Sequence, residues 1–514
     1  MTENRNKTRI IGDRWLIVVA LIVVFITAWN SRSAMLSTPN GYTSESKDSV
    51  YCTFFGGTSS DQIRDITLDS EGNIIIVGGT HSQDFPVKKA NQATYNSGGV
   101  PEEEWFSEEN WFWLMGDGFV SKFSPEFNLE WSTYIGGSDL DIAYHVLVDS
   151  NDNILVFGQT MSADFPVSDG SSYSGGEKGN AFITRFTPDG ELIESIYYAS
   201  GENVLIRDVD KDHLGNIVLA GETTSTEFYC TEDAKQSSLR GEADGFIRVI
   251  TEALDTVIYS TLVGGDALDG ISKISVSETG YIHACGYTQS SDFPVTENAL
   301  FPDYNGGDFD GFIMSMTPNR QFDLLTYLGG SDHEDVFGLD TNVAGSEIVV
   351  VGRTKSTDFP VTGDEFWEQP RDLEIRGFLC SLSGDGELLN SNLFGLNNWD
   401  SITLVNLDNQ NNTIIAGFVL SSGFETMNAF QPDFMGVSDI VVIIRGEETE
   451  LFSYLGGSMS EHPFAQCVSN GKIYLVGNTA SEGFPVSEDA FQLIYGGNED
   501  GFIWVLDYWE YLSK

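Results

Sequence analysis

Short apolar runs broken by turn chemistry recur along the chain from residue 50 onward. In the first complete unit, strand-like runs stand at 63–68, 73–80, 118–124 and 129–134. Asp69, Ser70, Glu71 and Gly72 lie between the first two and predict a hairpin turn; Pro125, Glu126 and Phe127 do the same between the last two. The second run is apolar without alternation: Ile74, Ile75, Ile76 and Val77 in one unit, Ile348, Val349, Val350 and Val351 in another. Such a strand is buried on both faces, so each sheet needs a sheet stacked on either side.

The unit repeats. A Gly-Gly phrase closes the fourth run at Gly56, Gly136, Gly264, Gly329 and Gly456, with weaker copies at Ser200 and Phe394. The spacings are 80, 64, 64, 65, 65 and 62 residues, which makes seven copies with one insertion in the first. Seven four-stranded sheets, each covered on both faces, form a ring; a linear stack would leave two apolar end faces. The chain ends on a third-strand copy, 500–505, and the repeat region begins with an orphan fourth strand at 50–54. Pairing of 50–55 with 501–506 would complete one blade and leave the seam without a free edge.

The phrase at 57–86, with its cadence GGxxxD then DSxGNIxxxGxTxSxDFP, and the later DGF, resembles the SBBP family of β-propeller repeats over about residues 50–508. The resemblance implies an all-β, seven-bladed β-propeller of four-stranded antiparallel blades, and little about activity.

Ahead of the ring the pattern changes. Residues 1–14 carry Arg5, Lys7, Arg9 and Arg14, and the run from Trp15 to Trp29 has no charge. This predicts one N-terminal hydrophobic helix at 15–29. It would act as a transmembrane signal-anchor, with Trp15 and Trp29 at the two interfaces, or as a cleaved signal peptide. Basic residues before it put 1–14 in the cytoplasm and the ring outside the cell, secreted if the segment is cleaved. Residues 30–49 read as a polar stalk and 509–514 as a tail.

Charge narrows the partners. The chain holds 26 Lys and Arg against 77 Asp and Glu, a net charge of −51. No nucleic acid is expected, because phosphate contacts need a basic footprint, and contact with the membrane is expected through the N-terminal helix alone. The five cysteines form no CxxC pair, and four of them sit in or beside apolar runs as small hydrophobes. There is no HExxH, GxSxG or phosphate loop, so no catalytic residue is assigned and no enzyme is expected. Asn411 begins the one sequon in the exported part.

Two candidate sites remain. The insertion in the first long loop carries Trp105, Phe106, Trp111, Phe112 and Trp113, rings that could stack on a glycan or anchor a protein partner. Acids four or five residues past the Gly-Gly phrase, Asp61, Asp141, Asp269, Asp335, Asp400 and Glu461, would ring the channel mouth. Converging carboxylates there suit Ca2+, otherwise no cofactor; alternatively each closes its own loop by accepting backbone N–H bonds. The expected function is a binding or scaffolding propeller of the adhesion type, meeting an extracellular protein or glycan through the long-loop face. The alternative is a glycan-processing propeller enzyme that pairs carboxylates such as Asp141 and Asp335.

Overall fold

A computed structural model of the chain describes residues 49–97, 116–173, 175, 179–199, 201–362, 375–446 and 449–514. The N-terminal helix expected at 15–29 lies outside these residues; among those described, no helix is long and apolar enough to cross a membrane.

Seven four-stranded antiparallel sheets account for the described strands. In the first blade they are Asp61–Leu68, Ile74–Thr80, Asp117–Phe123 and Leu129–Ile135, paired in sequence order. The second strand is buried at every position, as its unbroken apolar run requires. The first strands of successive blades lie against one another, and that of blade seven, Glu461–Ser469, lies against that of blade one. They therefore enclose the axis, and the architecture is a seven-bladed β-propeller. Apolar clusters confirm closure: among the described residues there are seven, each shared by two adjacent blades, where an open row of seven sheets would have six interfaces. One of them joins Val476, Ile503 and Val505 of blade seven to Ile74, Ile76 and Phe119 of blade one.

Both ends of the ring share the seventh blade. Its outer strand is Val50–Phe55, antiparallel to Asp500–Asp507, with Cys52 opposite Trp504 and Phe54 opposite Phe502. The outer edge of that strand is covered as well, because the Cys52 N–H donates to the Ser487 hydroxyl, the Ser487 N–H donates to the Cys52 carbonyl and the Phe54 N–H donates to the Gln492 carbonyl. Phe55 is fully buried at the seam, its ring 4.9 Å from Phe85 and 5.2 Å from Phe123 of blade one. A short helix, Tyr508–Ser513, follows, and Tyr508 donates to Asp408 at 2.6 Å.

Connections sort onto two faces. On one, hairpins join first to second strands, and Asp69 closes its turn by accepting from Glu71 N at 3.0 Å and Asn73 N at 2.9 Å. On the other lie the Gly-Gly loops and the long loops that follow the DFP phrases. There Asp84 accepts from Thr58 N, and Asp164 from Ser138 N. The DFP phenylalanine stacks beside the DGF phenylalanine blade after blade, 4.5 Å apart for Phe85 and Phe119 and 4.7 Å for Phe293 and Phe312.

Candidate functional site

Asp61, Asp141, Asp269, Asp400 and Glu461 are fully buried, and each turns back onto its own loop. Asp61 accepts from Gly57 N at 2.7 Å, Asp141 from Gly137 N at 2.8 Å and Asp269 from Gly265 N at 2.7 Å. Ser82, Ser162 and Ser290 from the end of the second strand complete these latches. Asp400 holds Leu396 N and Asn397 N in the loop that departs from the Gly-Gly phrase. The latch explains the glycine before it: a Cβ at Gly56 would stand 2.7 Å from the Asp61 carboxylate. Burial pushes the carboxyls up, to about 7 for Asp61, about 8 for Asp141, about 6 for Asp269 and about 8 for Glu461.

In blade five the latch is Glu334, which accepts from Gly330 N at 3.1 Å and from Thr354 Oγ1 at 2.5 Å. Asp335 stands one residue further, paired with Arg353 at 2.7 Å and His333 at 3.1 Å. Burial works to raise the Asp335 carboxyl, but those two partners overcome it and hold it well below the usual carboxylate range. Among the described residues no group of three or more His, Cys, Asp or Glu is placed to hold a metal ion. The aromatic residues Trp105, Phe106, Trp111, Phe112 and Trp113 lie outside the described residues.

The residues that do meet the channel come from a feature absent from the sequence reading. Every first strand carries a β-bulge at the same place, where one residue has no partner on the second strand. The extra residues are Arg64, Tyr144, Arg207, Ser272, Phe337, Thr403 and Phe464. Each is half-buried or exposed, and buried residues precede each one. On an innermost strand such partial exposure opens onto the channel, so the seven form a collar. Two members touch, the Arg64 guanidinium lying 4.3 Å from the Phe464 ring centre, and Arg353 of the second strand of blade five lies 5.3 Å over the collar's Phe337. Arg64 donates to Gln62 at 2.6 Å, and Arg207 stands 3.5 Å from Glu222, which also takes the Tyr287 hydroxyl. The collar thus presents guanidinium edges and aromatic faces in one ring, with their charges balanced by flanking acids.

Below the collar, carboxylates stitch neighbouring first strands. Asp65 accepts from Val146 N at 2.9 Å, Asp208 from Ile274 N and Lys273 Nζ at 2.8 Å each, and Asp340 from Leu407 N at 2.8 Å. Burial lifts Asp65 to about 6 and Asp210 to about 7. These contacts join residues about one repeat apart and fix blade spacing at the axis.

The repeat is recognised by comparison. The SBBP beta-propeller repeat matches residues 130–166, which run from the fourth strand of blade one into the second strand of blade two and beyond it. The regulatory protein FlaEY of Caulobacter vibrioides is 24% identical over 240 residues, covering 43% of this chain and 24% of that protein. The chain therefore spans about a quarter of the length of that relative. Among solved structures, a catalytically inactive virginiamycin B lyase from Staphylococcus aureus with quinupristin is 9% identical with a TM-score of 0.40, covering 88% of this chain and 99% of that one. A protein of unknown function from Dyadobacter fermentans is 10% identical with a TM-score of 0.38, covering 91% and 100%.

Proposed function

We propose that the chain is a non-enzymatic binding module held outside the cell. It meets a protein or glycan partner through the long-loop face and receives a projecting group of that partner at the channel collar. The collar carries this reading. A repeat that keeps its latch acids, its glycines and its stacked phenylalanines nearly constant presents five residue types at one position across the seven blades, and that position lines the channel. Guanidinium groups and aromatic faces side by side suit a sugar acid or an acidic side chain, with rings for stacking and charge for the carboxylate. Trp105, Trp111 and Trp113 lie in sequence between the first DFP phrase and the DGF phrase that follows it, and are proposed to add to the contact.

The apolar run at 15–29 behind four basic residues supports export, with an anchor if it is retained. Burial of Asp141 against Gly137 favours binding over hydrolysis, because that carboxylate is engaged in its own blade. A glycan array and a surface pull-down with the full chain test the reading. Arg64→Ala with Phe464→Ala should lose the captured partner at unchanged melting temperature. Capture by that double variant at wild-type strength would place recognition elsewhere.

A further inference from the structure

Among the described residues three guanidinium groups stand at the collar, and two of them face a carboxylate. Arg207 stands 3.5 Å from Glu222. Arg353 donates to Asp335 at 2.7 Å and lies over the Phe337 ring. Arg64 differs. Its guanidinium lies over the Phe464 ring, and its one side-chain hydrogen bond goes to the neutral amide of Gln62, at 2.6 Å. It makes no ion pair among the described residues, and its Nε has no partner. The acid on that side, Glu499, accepts from the Gln62 and Asn478 amides at 3.3 and 2.9 Å, and burial pushes its carboxyl up. Burial also pushes the Arg64 guanidinium down. A cation partly withdrawn from water thus lacks a counter-charge of its own, which costs free energy until an anion joins it.

Tyr144 is the collar residue on the other side of Arg64. It is half-buried and within electrostatic reach of both Arg64 and Arg207, and its hydroxyl enters no hydrogen bond among the described residues. Blades seven, one and two therefore set side by side a ring that fixes the guanidinium plane, a guanidinium without an acid, and a free phenol donor. One uncompensated positive charge calls for a ligand with one negative charge. A carboxylate supplies that, and it accepts from a guanidinium and a hydroxyl together. A phosphate monoester brings nearly two charges, and the chain's net charge of −51 disfavours a long polyanion. The other collar residues include the hydroxyls of Ser272 and Thr403 and the ring of Phe337. A sugar ring can use hydroxyls and aromatic faces alike, whereas an aspartate or glutamate side chain leaves both idle. We infer that the collar binds a single uronic acid residue at the end of an otherwise neutral glycan, its carboxylate held by Arg64 and the Tyr144 hydroxyl. This rests on the collar reading above and narrows it to one ligand class.

The test is titration calorimetry of the full chain with the methyl glycosides of D-glucuronic and D-galacturonic acid. The methyl glycosides of glucose and galactose are the neutral analogues, and N-acetyl-L-glutamate α-methylamide stands for an acidic side chain. Saturable binding of a uronide in the millimolar range or tighter is expected. Its neutral analogue and the glutamate derivative should each bind at least about tenfold more weakly, which is about 1.4 kcal/mol. Arg64→Gln should abolish binding and melt no lower than wild type, since it removes a charge without a partner. Tyr144→Phe should weaken binding severalfold. No binding of either uronide at millimolar concentration would overturn the inference, as would equal binding of the neutral sugar or full affinity in Arg64→Gln. If the glutamate derivative binds through Arg64 and the uronides do not, the uronate falls and the collar stands. If capture of a surface partner survives Arg64→Ala with Phe464→Ala and no uronide binds, both fall.

Discussion

Lowering the pH from 8 to 6.5 should stabilise this protein, and the latch acids set the size of the effect. Asp141 and Glu461 are fully buried, with carboxyls pushed up to about 8 by burial, and Asp61 is pushed up to about 7. In the unfolded chain such groups titrate near 4 and stay ionised across the whole window. In the folded chain they take up protons as the pH falls. Protons bound by the folded state alone add stability. That contribution is fully present below the unfolded value and is lost as the pH rises through the folded values. One titrating carboxyl gives at most about 1.4 kcal/mol per pH unit, so Asp141 and Glu461 together supply on the order of 3 kcal/mol across the window. Buried histidines set the lower limit. His145, His283 and His462 are pushed down to about 4 by burial, so below pH ~6.5 the unfolded chain gains protons that they refuse. Equilibrium urea unfolding at several pH values across the window measures the slope, and Asp141→Asn or Glu461→Gln should each flatten it. A stability that is flat or rises between pH 6.5 and 8 would refute the reasoning. It would mean that the folded carboxylates are ionised, the state a bound cation needs.

Three further outcomes are expected. Phe55→Ala should cost about 3–5 kcal/mol. At roughly 2.1 cal/mol/K per residue over the ring, the melting temperature falls about 3–5 °C. Ile494→Ala, on a side chain 79% exposed, should change almost nothing, and equal effects in scanning calorimetry would contradict the buried seam. Millimolar Ca2+ or a chelator at pH 7 should leave the melting curve in place, because the latch acids are spent on Gly57, Gly137 and Gly265; a clear upward shift with Ca2+ would restore the cation reading. Asp208→Asn removes the negative partner of Lys273, 2.8 Å away and partly buried, and should destabilise by about 1–3 kcal/mol in urea; an unchanged midpoint would deny the stitch between blades three and four.

The blades were legible because their signals repeat: the apolar second strands recur in all seven blades, the glycine pair in five and the Asp-led hairpin in four, so chance matches average out. The latch acids were legible by position, with one slip. In blade five Glu334 takes the place held by Asp61, Asp141, Asp269 and Asp400 in blades one, two, four and six, and counting one residue too far led to Asp335, which belongs to the Arg353 pair. The collar was not legible as a site, since a bulge shifts the pleat by one residue and alternation gives no warning of it. One trace was present: three residues past the latch acid, Arg64, Tyr144 and Phe464 share a position and nothing else. The stitches made by Asp208 and Asp340 join residues about one repeat apart, and no local pattern encodes them.

The channel, the collar and the two faces exist only if the strand from the start of the ring completes the last blade. Hydrogen exchange of the segment Val50–Phe55, followed by mass spectrometry, tests this most directly. Its amides pair with Asp500–Asp507 on one side, and Cys52 and Phe54 donate to Ser487 and Gln492 on the other. Exchange as slow as that of the buried second strand Ile74–Thr80 is the predicted result. Exchange within seconds, as for a free edge, would contradict a closed ring.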